Sequence, residues 1–501
     1  MKKTLILGLL AATILPLAAC GNDEQKPASY ADKDFDGLYD SYDPTPDCNI
    51  TGYVNNDGST SKEFRVPVDY RKFFQEGEPK YDKDIGMMLA IVANNSYAGE
   101  RSKWSVTTSK YENEDSKINP VLVQFGFNDV EYVTTPAYGH DLNDICGLFL
   151  GNHIFENNNK LYQVYMVSLE GYPSDIAWIS NLDLGADSQA YLEIDGEHPE
   201  WTNKKHHKGF DVTANRAYSE IQKYMDKKDN KNVADKVVLV TGHSRGGALT
   251  NLVGKKLFDN NIKSLAYGFN GPLTTTEDDK TVLGKYTNIF NIHSSNDYIG
   301  RYPFYHMGFT SYGKNLEYNL VKQENAKLYK EYYNQEFEGN SPENLDKIDE
   351  VAKDIFPTRN GSYEFEEAET YDTYETLDEA NKEAKRLEES ILNAKIQGYA
   401  KVAVTENDDD LTKEDFPYEV TISSKPYGAL KLASEILVTF HMSQDKFGDI
   451  IYLIQNGLPF VGKYFASLAA GIVASEVEIN ILKFALPHIQ KTCVVGSMVA
   501  E

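Results

Sequence analysis

Val237-Val238-Leu239-Val240-Thr241-Gly242-His243-Ser244-Arg245-Gly246-Gly247-Ala248-Leu249-Thr250 is the stretch that most narrows what this chain can become. An aliphatic run leads straight into Gly-x-Ser-x-Gly, and small residues then open a helical pattern, so the order is strand, sharp turn, helix. A turn that tight strains the residue at its apex, and glycines at 242 and 246 leave room where strand and helix nearly touch. Ser244 is thereby held out at the end of a strand. The helix behind it contributes the positive end of its dipole, and the backbone N–H of Arg245 points to where an oxyanion would develop. The spacing has the form of a nucleophile elbow, with Ser244 as nucleophile and Gly242, His243 and Gly246 shaping the bend.

The surrounding chain carries the same alternation. Short aliphatic or aromatic runs at 161–169 (LYQVYMVSL), 236–241 (KVVLVT), 262–269 (IKSLAYGF) and 287–293 (TNIFNIH) read as strands, and helix-like stretches at about 209–227 and 246–259 lie between them. Strands alternating with helices predict an α/β architecture whose mostly parallel sheet is buried on both faces. Ahead of these strands, 82–97 and 139–151 show helix-like apolar spacing. The segment from about 315 to 425 is rich in Glu, Lys, Asp and Tyr, with helical charge patterning at 376–397, and reads as an acidic surface insertion. Two roles stay open for it, a solvated decoration or a cap over the site. Beyond it, 427–440, 447–456 and 460–475 look helical, and no internal repeat is visible.

The elbow Gly242-His243-Ser244-Arg245-Gly246-Gly247-Ala248-Leu249 resembles that of the class 3, or fungal-type, lipases, in which GHSLGGAL is the familiar form. Further segments are similar in the same order: Trp178-Ile179-Ser180-Asn181-Leu182-Asp183 to that family's W-x-x-(D/N)-L, His207-Lys208-Gly209-Phe210 to its H-x-G-F, and Tyr267-Gly268-Phe269-Asn270-Gly271-Pro272 to its (T/Y)-x-F-G-x-P. The resemblance covers roughly residues 160–310. It implies an α/β-hydrolase domain from about 61 to 501, interrupted by the insertion, and a lipase or esterase that cleaves carboxylic esters of lipids, either acylglycerols or phospholipids.

A serine hydroxyl is a weak nucleophile without a histidine base, and that histidine needs a carboxylate to set its tautomer; in this fold they follow in the order Ser, acid, His. Asn291-Ile292-His293-Ser294-Ser295-Asn296-Asp297-Tyr298-Ile299 puts Asp297 just past a strand and resembles the family's N-x-x-D-x-(V/I)-P, with Tyr302-Pro303 close behind, which makes Asp297 the acid. His293 and His306 lie too near Asp297 in sequence, and His306-Met307-Gly308 resembles a non-catalytic H-x-G. His488, in Ala485-Leu486-Pro487-His488, is favoured as the base because late loop placement suits a triad histidine; His441 stays as the alternative. The second oxyanion donor belongs in the turn after 161–169, where the family has R-G-(S/T) and this chain has Glu170-Gly171-Tyr172. A backbone N–H of Gly171 or Tyr172 still serves there, since backbone donation does not depend on the side chain, and Glu170 is free to pair with a nearby arginine.

The first residues read as an export signal: Met1-Lys2-Lys3, an apolar run from Leu5 to Leu17, then Leu17-Ala18-Ala19-Cys20, which resembles the bacterial lipobox and implies lipidation at Cys20. Residues 1–20 are thus a lipoprotein signal peptide and 21–60 a tether, which places the protein as a lipoprotein of the cell membrane or outer membrane facing the extracytoplasmic side. Within the tether, Asp32, Asp34, Asp36, Leu38 (through its backbone), Asp40 and Asp43 follow the spacing of a calcium loop with Gly37 at the sharp turn. Asp43 replaces the usual glutamate and Pro44 follows, so an isolated DxDxDG loop with structural Ca²⁺ is expected rather than a paired sensor. No cofactor is expected for catalysis. The remaining Cys48, Cys146 and Cys493 permit at most one disulfide, and Cys146 is expected as a buried free thiol. With 50 Lys and Arg against 76 Asp and Glu, the formal charge of −26 disfavours nucleic acid as a partner; a monomer acting on a lipid or other ester is expected. Two rivals stay open: a serine peptidase or thioesterase sharing the elbow, and a catalytically inactive hydrolase scaffold that binds calcium at the cell surface.

Overall fold

Val237 and Leu239 face one side of their strand and Val238 and Val240 the other, yet all four are fully buried. That pattern requires a layer of structure on each face of the sheet. A computed structural model of the chain supplies it, describing residues 33–35, 50–53, 64–96, 104–105, 110–111, 118–136, 145–171, 203, 205–277, 279–295, 297, 300, 309–320, 322–333, 368–393, 400–409, 412–424 and 490–500.

The antiparallel pair β1 (Ile50–Tyr53) and β2 (Phe64–Pro67) comes first. Helix α1 (Lys83–Asn95) starts at Asp82, whose carboxylate accepts the N–H of Asp84 at 2.8 Å and of Ile85 at 3.2 Å, satisfying donors the helix leaves open. The small pair β3 (Trp104–Ser105) and β4 (Lys110–Tyr111) and helix α2 (Ile118–Gln124) lead to the central sheet. Its strands are β5 (Asn128–Pro136), β6 (Ile145–Asn157), β7 (Lys160–Leu169), β8 (Asp235–His243), β9 (Ser264–Phe269), β10 (Ile289–Ser294) and β11 (Lys314–Tyr318), with α3 (Lys208–Lys228) before β8, α4 (Arg245–Asp259) after it and the short α5 (Lys280–Gly284) before β10.

The seven strands stand side by side in chain order. β5, β6 and β7 pair antiparallel, whereas β7 through β11 are parallel, giving the mostly parallel α/β sheet that the sequence predicts. One face carries Val164, Met166, Val237 and Leu239 under α1 and α2; the other carries Tyr165, Val167, Val238 and Val240 under α3 and α4. Removing each such aliphatic side chain from water contributes about 1.5–3 kcal/mol. The strand β6 corrects the helix expected over 139–151: its apolar run pairs with a neighbour on each side and turns Cys146 into a buried strand residue with a free thiol.

Downstream come α6 (Gln323–Tyr333), β12 (Glu369–Tyr374), α7 (Leu377–Asn393), β13 (Ala400–Glu406), β14 (Tyr418–Ser424) and α8 (Gln490–Val499). β12, β14 and β13 form a separate three-stranded antiparallel sheet against which α7 packs. β11 lies inside the stretch expected to begin the insertion but is the edge strand of the central sheet, in register with β10 from Phe290 opposite Lys314 to Ser294 opposite Tyr318. The helical stretches expected at 427–440, 447–456 and 460–475 lie outside the described residues.

The last helix returns to the first: α8 packs along α1, and Tyr81 just before α1 donates its hydroxyl to Ser497 O at 2.8 Å. No helix among the described residues is long and apolar enough to cross a membrane. Of the expected calcium loop only Asp34 among the candidate ligands lies within the described residues. Its neighbour Phe35, at φ 65°, meets Phe155 of β6 edge to face at 6.1 Å and lies 4.2 Å beneath the Arg71 guanidinium, so this part of the loop is docked on the folded body.

Candidate active site

At the carboxyl end of β8 the chain reverses into α4 through Ser244, which stands at φ 56° and ψ −126°. A β-substituted residue avoids that conformation, so the surroundings must impose it. They do so by contact. A Cβ on Gly242 would lie 2.4 Å from Gly246 O, and one on Gly246 would lie 2.2 Å from Leu169 O, so only glycine lets β7, β8 and α4 approach this closely. Ser244 N donates to Phe269 O at 2.9 Å, while Ser244 O accepts from Gly247 N at 2.8 Å and Ala248 N at 3.2 Å. Both sides of the bend are pinned.

From 241 to 254 every residue is buried except Ser244, which is half-buried. Its hydroxyl does not cap α4. A strained serine at a helix N-terminus, alone in reaching the surface of a dry bend, is what nucleophilic attack on a carbonyl carbon requires. His243 is buried beneath it.

The sheet register sets Asp297 in relation to this serine. His243 lies level with Phe269 of β9, and Phe269 with Ile292 of β10, so the chain leaves β10 at the height of the elbow. Asp297 follows three residues after β10, buried, with its N–H donating to Ser294 O at 3.0 Å. Asn270, at φ 46°, braces the turn by accepting from Ser294 N at 2.8 Å. Its amide also donates to Tyr318 Oη at 3.3 Å and to Cys493 Sγ at 3.5 Å, and Thr492 Oγ1 lies 3.2 Å from the same tyrosine oxygen. The first turn of α8 is thus seated beside the Asp297 loop. Burial, aided by the charge of Asp297, pushes the Cys493 thiol up to about 12 and holds it protonated.

His293, set aside in sequence for lying too near Asp297, converges on it in space. A Cβ on Gly300 would be 3.1 Å from Asp297 Oδ2 and 3.4 Å from His293 Nδ1. No sequence spacing signals this meeting, because the turn after β10 creates it. The other histidines weighed from the sequence as base or motif residue, His306, His441 and His488, lie outside the described residues, as do Cys20, Tyr172, Asp32, Asp36, Leu38, Asp40 and Asp43.

Across the elbow, the turn after β7 carries Glu170 and Gly171, both buried. Glu170 N donates to Gly147 O at 2.9 Å, and Tyr132 Oη donates to Glu170 Oε2 at 3.2 Å. Burial pushes the Glu170 carboxyl up to about 7, against the opposing pull of the Tyr132 hydroxyl and the Arg245 guanidinium. Tyr132 is a partner that sequence analysis missed, since β5 was not foreseen. His206 bridges Asp211 Oδ1 at 2.8 Å and Tyr312 Oη at 2.9 Å, a buried polar link that fastens the start of α3 to the segment before β11. Burial lowers the His206 pKa despite Asp211.

Three comparisons bear on this arrangement. The model of the family "Lipase (class 3)" matches residues 166–307, which contain Ser244, Glu170 and Asp297. Among solved structures, a mono- and diacylglycerol lipase from Aspergillus oryzae matches at 17% identity over 48% of this chain and 80% of its own, with a TM-score of 0.33. The Lip2 lipase from Yarrowia lipolytica matches at 20% identity over 48% of this chain and 82% of its own, with a TM-score of 0.30. No curated protein matches the chain.

Proposed function

We propose that this chain is a serine hydrolase that cleaves carboxylic esters of lipids, with Ser244 as nucleophile, Asp297 as acid and His488 as base. The observation that carries the proposal is the conformation of Ser244: positive φ, imposed by glycine contacts, at the one point of the bend that reaches the surface. The match of the class 3 lipase model to 166–307 supports lipid esters, acylglycerols or phospholipids, as the substrate class.

Ser244 Oγ attacks the ester carbonyl, and His488 takes its proton and returns it to the leaving alcohol. Asp297 orients the imidazole and stabilises its charged form. The N–H groups of Arg245 and of the turn at Gly171 and Tyr172 receive the oxyanion. Water then repeats the sequence on the acyl-enzyme. His488 is preferred over His441 because it precedes α8 by two residues, about 7 Å of chain at most, and the first turn of α8 lies beside the Asp297 loop. The test is ester hydrolysis and fluorophosphonate labelling of the wild type beside Ser244→Ala, His488→Ala and His441→Ala. Loss in the first two and retention in the third is expected; an unlabelled wild type defeats the proposal in favour of an inert scaffold, and turnover of peptide amides over esters would favour a peptidase.

The same proposal includes a lipid anchor at Cys20, which sets the domain on the extracytoplasmic face of a membrane and near its substrate, and a structural Ca²⁺ held by Asp32, Asp34, Asp36, Asp40, Asp43 and the Leu38 carbonyl. The docking of Phe35 on β6 supports a structural rather than catalytic ion, since it ties the loop to the side of the fold instead of to Ser244.

A further inference from the structure

Strand β9 ends at Phe269, while its neighbour β10 runs on to Ser294. In a parallel ladder one residue donates to and accepts from the same neighbouring strand, so Asn270, next after β9, would be the partner of Ser294 N. It keeps the donating half with its backbone, whose N–H goes to Ile292 O at 2.9 Å. At φ 46° the chain has left extended geometry, and the side-chain oxygen takes the accepting half, receiving Ser294 N at 2.8 Å. Asparagine is one of the few residues with a Cβ that enters this conformation readily. The motif that the segment resembles has glycine at this position, which offers no such oxygen.

The amide nitrogen reaches two other elements. Asn270 Nδ2 donates to Tyr318 Oη at 3.3 Å on β11 and to Cys493 Sγ at 3.5 Å on α8. Tyr318 in turn holds the same loop with its backbone, since Ser295 N donates to Tyr318 O at 2.8 Å. Its ring fills a notch on α8, where a Cβ on Gly496 would run into it, and Thr492 Oγ1 lies 3.2 Å from its hydroxyl. Asp297 N donates to Ser294 O at 3.0 Å, so the residue that Asn270 pins by its N–H is the one that holds the acid by its carbonyl. All of these side chains are buried. We propose that Asn270 is a positioning residue which, together with Tyr318, clasps the Asp297 loop to β11 and to the first turn of α8 and so fixes where the acid meets its histidine. The inference rests on the reading of Asp297 as the acid. Neither side chain touches the substrate; each acts through the loop it anchors.

Among the described residues, His293 from β10, the Tyr318 hydroxyl from β11 and the Cys493 thiol from α8 lie around Asp297. Burial pushes the Tyr318 hydroxyl far above its ordinary value and the Cys493 thiol up to about 12, so both stay protonated. The clasp therefore sets hydrogen bonds, and no added charge, beside the acid. Loosening it lets the carboxylate drift from the imidazolium that it stabilises, which lowers the pKa of the base.

The experiment compares kcat, KM and fluorophosphonate labelling across roughly pH 5 to 9 for the full-length wild type, Asn270→Gly, Tyr318→Phe and the double variant, with thermal unfolding as the control for folding. Asn270→Gly keeps the left-handed backbone and removes the amide. It should lower kcat and the labelling rate about 10-fold while KM stays within about 2-fold, because a misplaced acid costs transition-state binding more than ground-state binding. Its acid limb should move to lower pH by about half a unit or more. Tyr318→Phe should do the same to a lesser degree, about 3-fold in kcat, and the double variant should lose less than the product of the two single losses, since both act through one loop. A folded Asn270→Gly with the wild-type kcat, or with a lowered kcat and an unmoved acid limb, overturns the clasp and leaves the hydrolase reading intact. Should Asn270→Gly not fold, Tyr318→Phe decides by the same two readings. A wild type that neither cleaves esters nor labels overturns both.

Discussion

The two ends of the parallel strands are built in opposite ways. At the carboxyl end, around Ser244, the chain is strained, dry and charged inside: Glu170, Arg245 and Asp297 are all buried. At the amino end of β9 and β10 lies a cleft of about 500 Å³, lined by Lys72, Gln75, Glu76, Lys80, Phe258 and Lys263 among others. Its charges stand in or near water, as with Lys72, which bridges Asp82 and Asp84 at 2.9 Å each with all three side chains about a quarter exposed. The cleft is roomy, but chemistry needs groups whose desolvation has a cost, and those sit at the other end.

Substitutions at the two ends should separate them sharply. Ser244→Ala is expected to lower ester kcat by about 10³-fold or more, since the triad acts as a unit and only binding and the oxyanion donors remain; a residual rate near that of the wild type would move the chemistry away from the elbow. Gly246→Ala forces a methyl against Leu169 O and should destabilise the fold by about 1–3 kcal/mol while also reducing activity, measured by thermal unfolding and turnover.

Glu170→Gln tests the buried charge through stability. The folded-state pKa of Glu170 is raised, so its contribution to stability is present below the ordinary glutamate range and is lost as pH rises through about 7. Between about pH 4 and 8 the wild type should therefore lose on the order of 3 kcal/mol relative to Glu170→Gln, read as converging or crossing unfolding curves. Parallel curves across that range would show that the carboxyl is hydrated. Smallest of all, Lys80→Ala at the cleft should change stability by no more than about 0.5 kcal/mol and leave kcat untouched; a larger effect on turnover would give the cleft a role in the reaction.

Much of this architecture was legible from local pattern. Helices α1, α3 and α4 and strands β7 to β10 fall where apolar periodicity put them, because each buries a long, regular face. The failures cluster at the antiparallel side and the edges. β6 was read as helical since the run from Cys146 to Leu150 is apolar at every position but Gly147, and such a run has no period by which to tell strand from helix. β5 and β11, at the two edges of the sheet, mix charged and polar residues among their apolar ones, as strands half open to solvent do, so β5 carries no strand pattern and β11 reads as the start of the acidic insertion.

The sequence by itself determined the elbow, because strand, glycines, serine and helix are neighbours in the chain and their sterics are local. It also marked Asp297 as a carboxylate just past a strand. Only the tertiary structure brought His293 and Asp297 together at Gly300, set Tyr132 on Glu170, and seated Thr492 and Cys493 against Tyr318 and Asn270. Those contacts join residues up to 223 positions apart, where no local pattern reaches. They are decided by which strands pair and which buried polar atoms must then find partners.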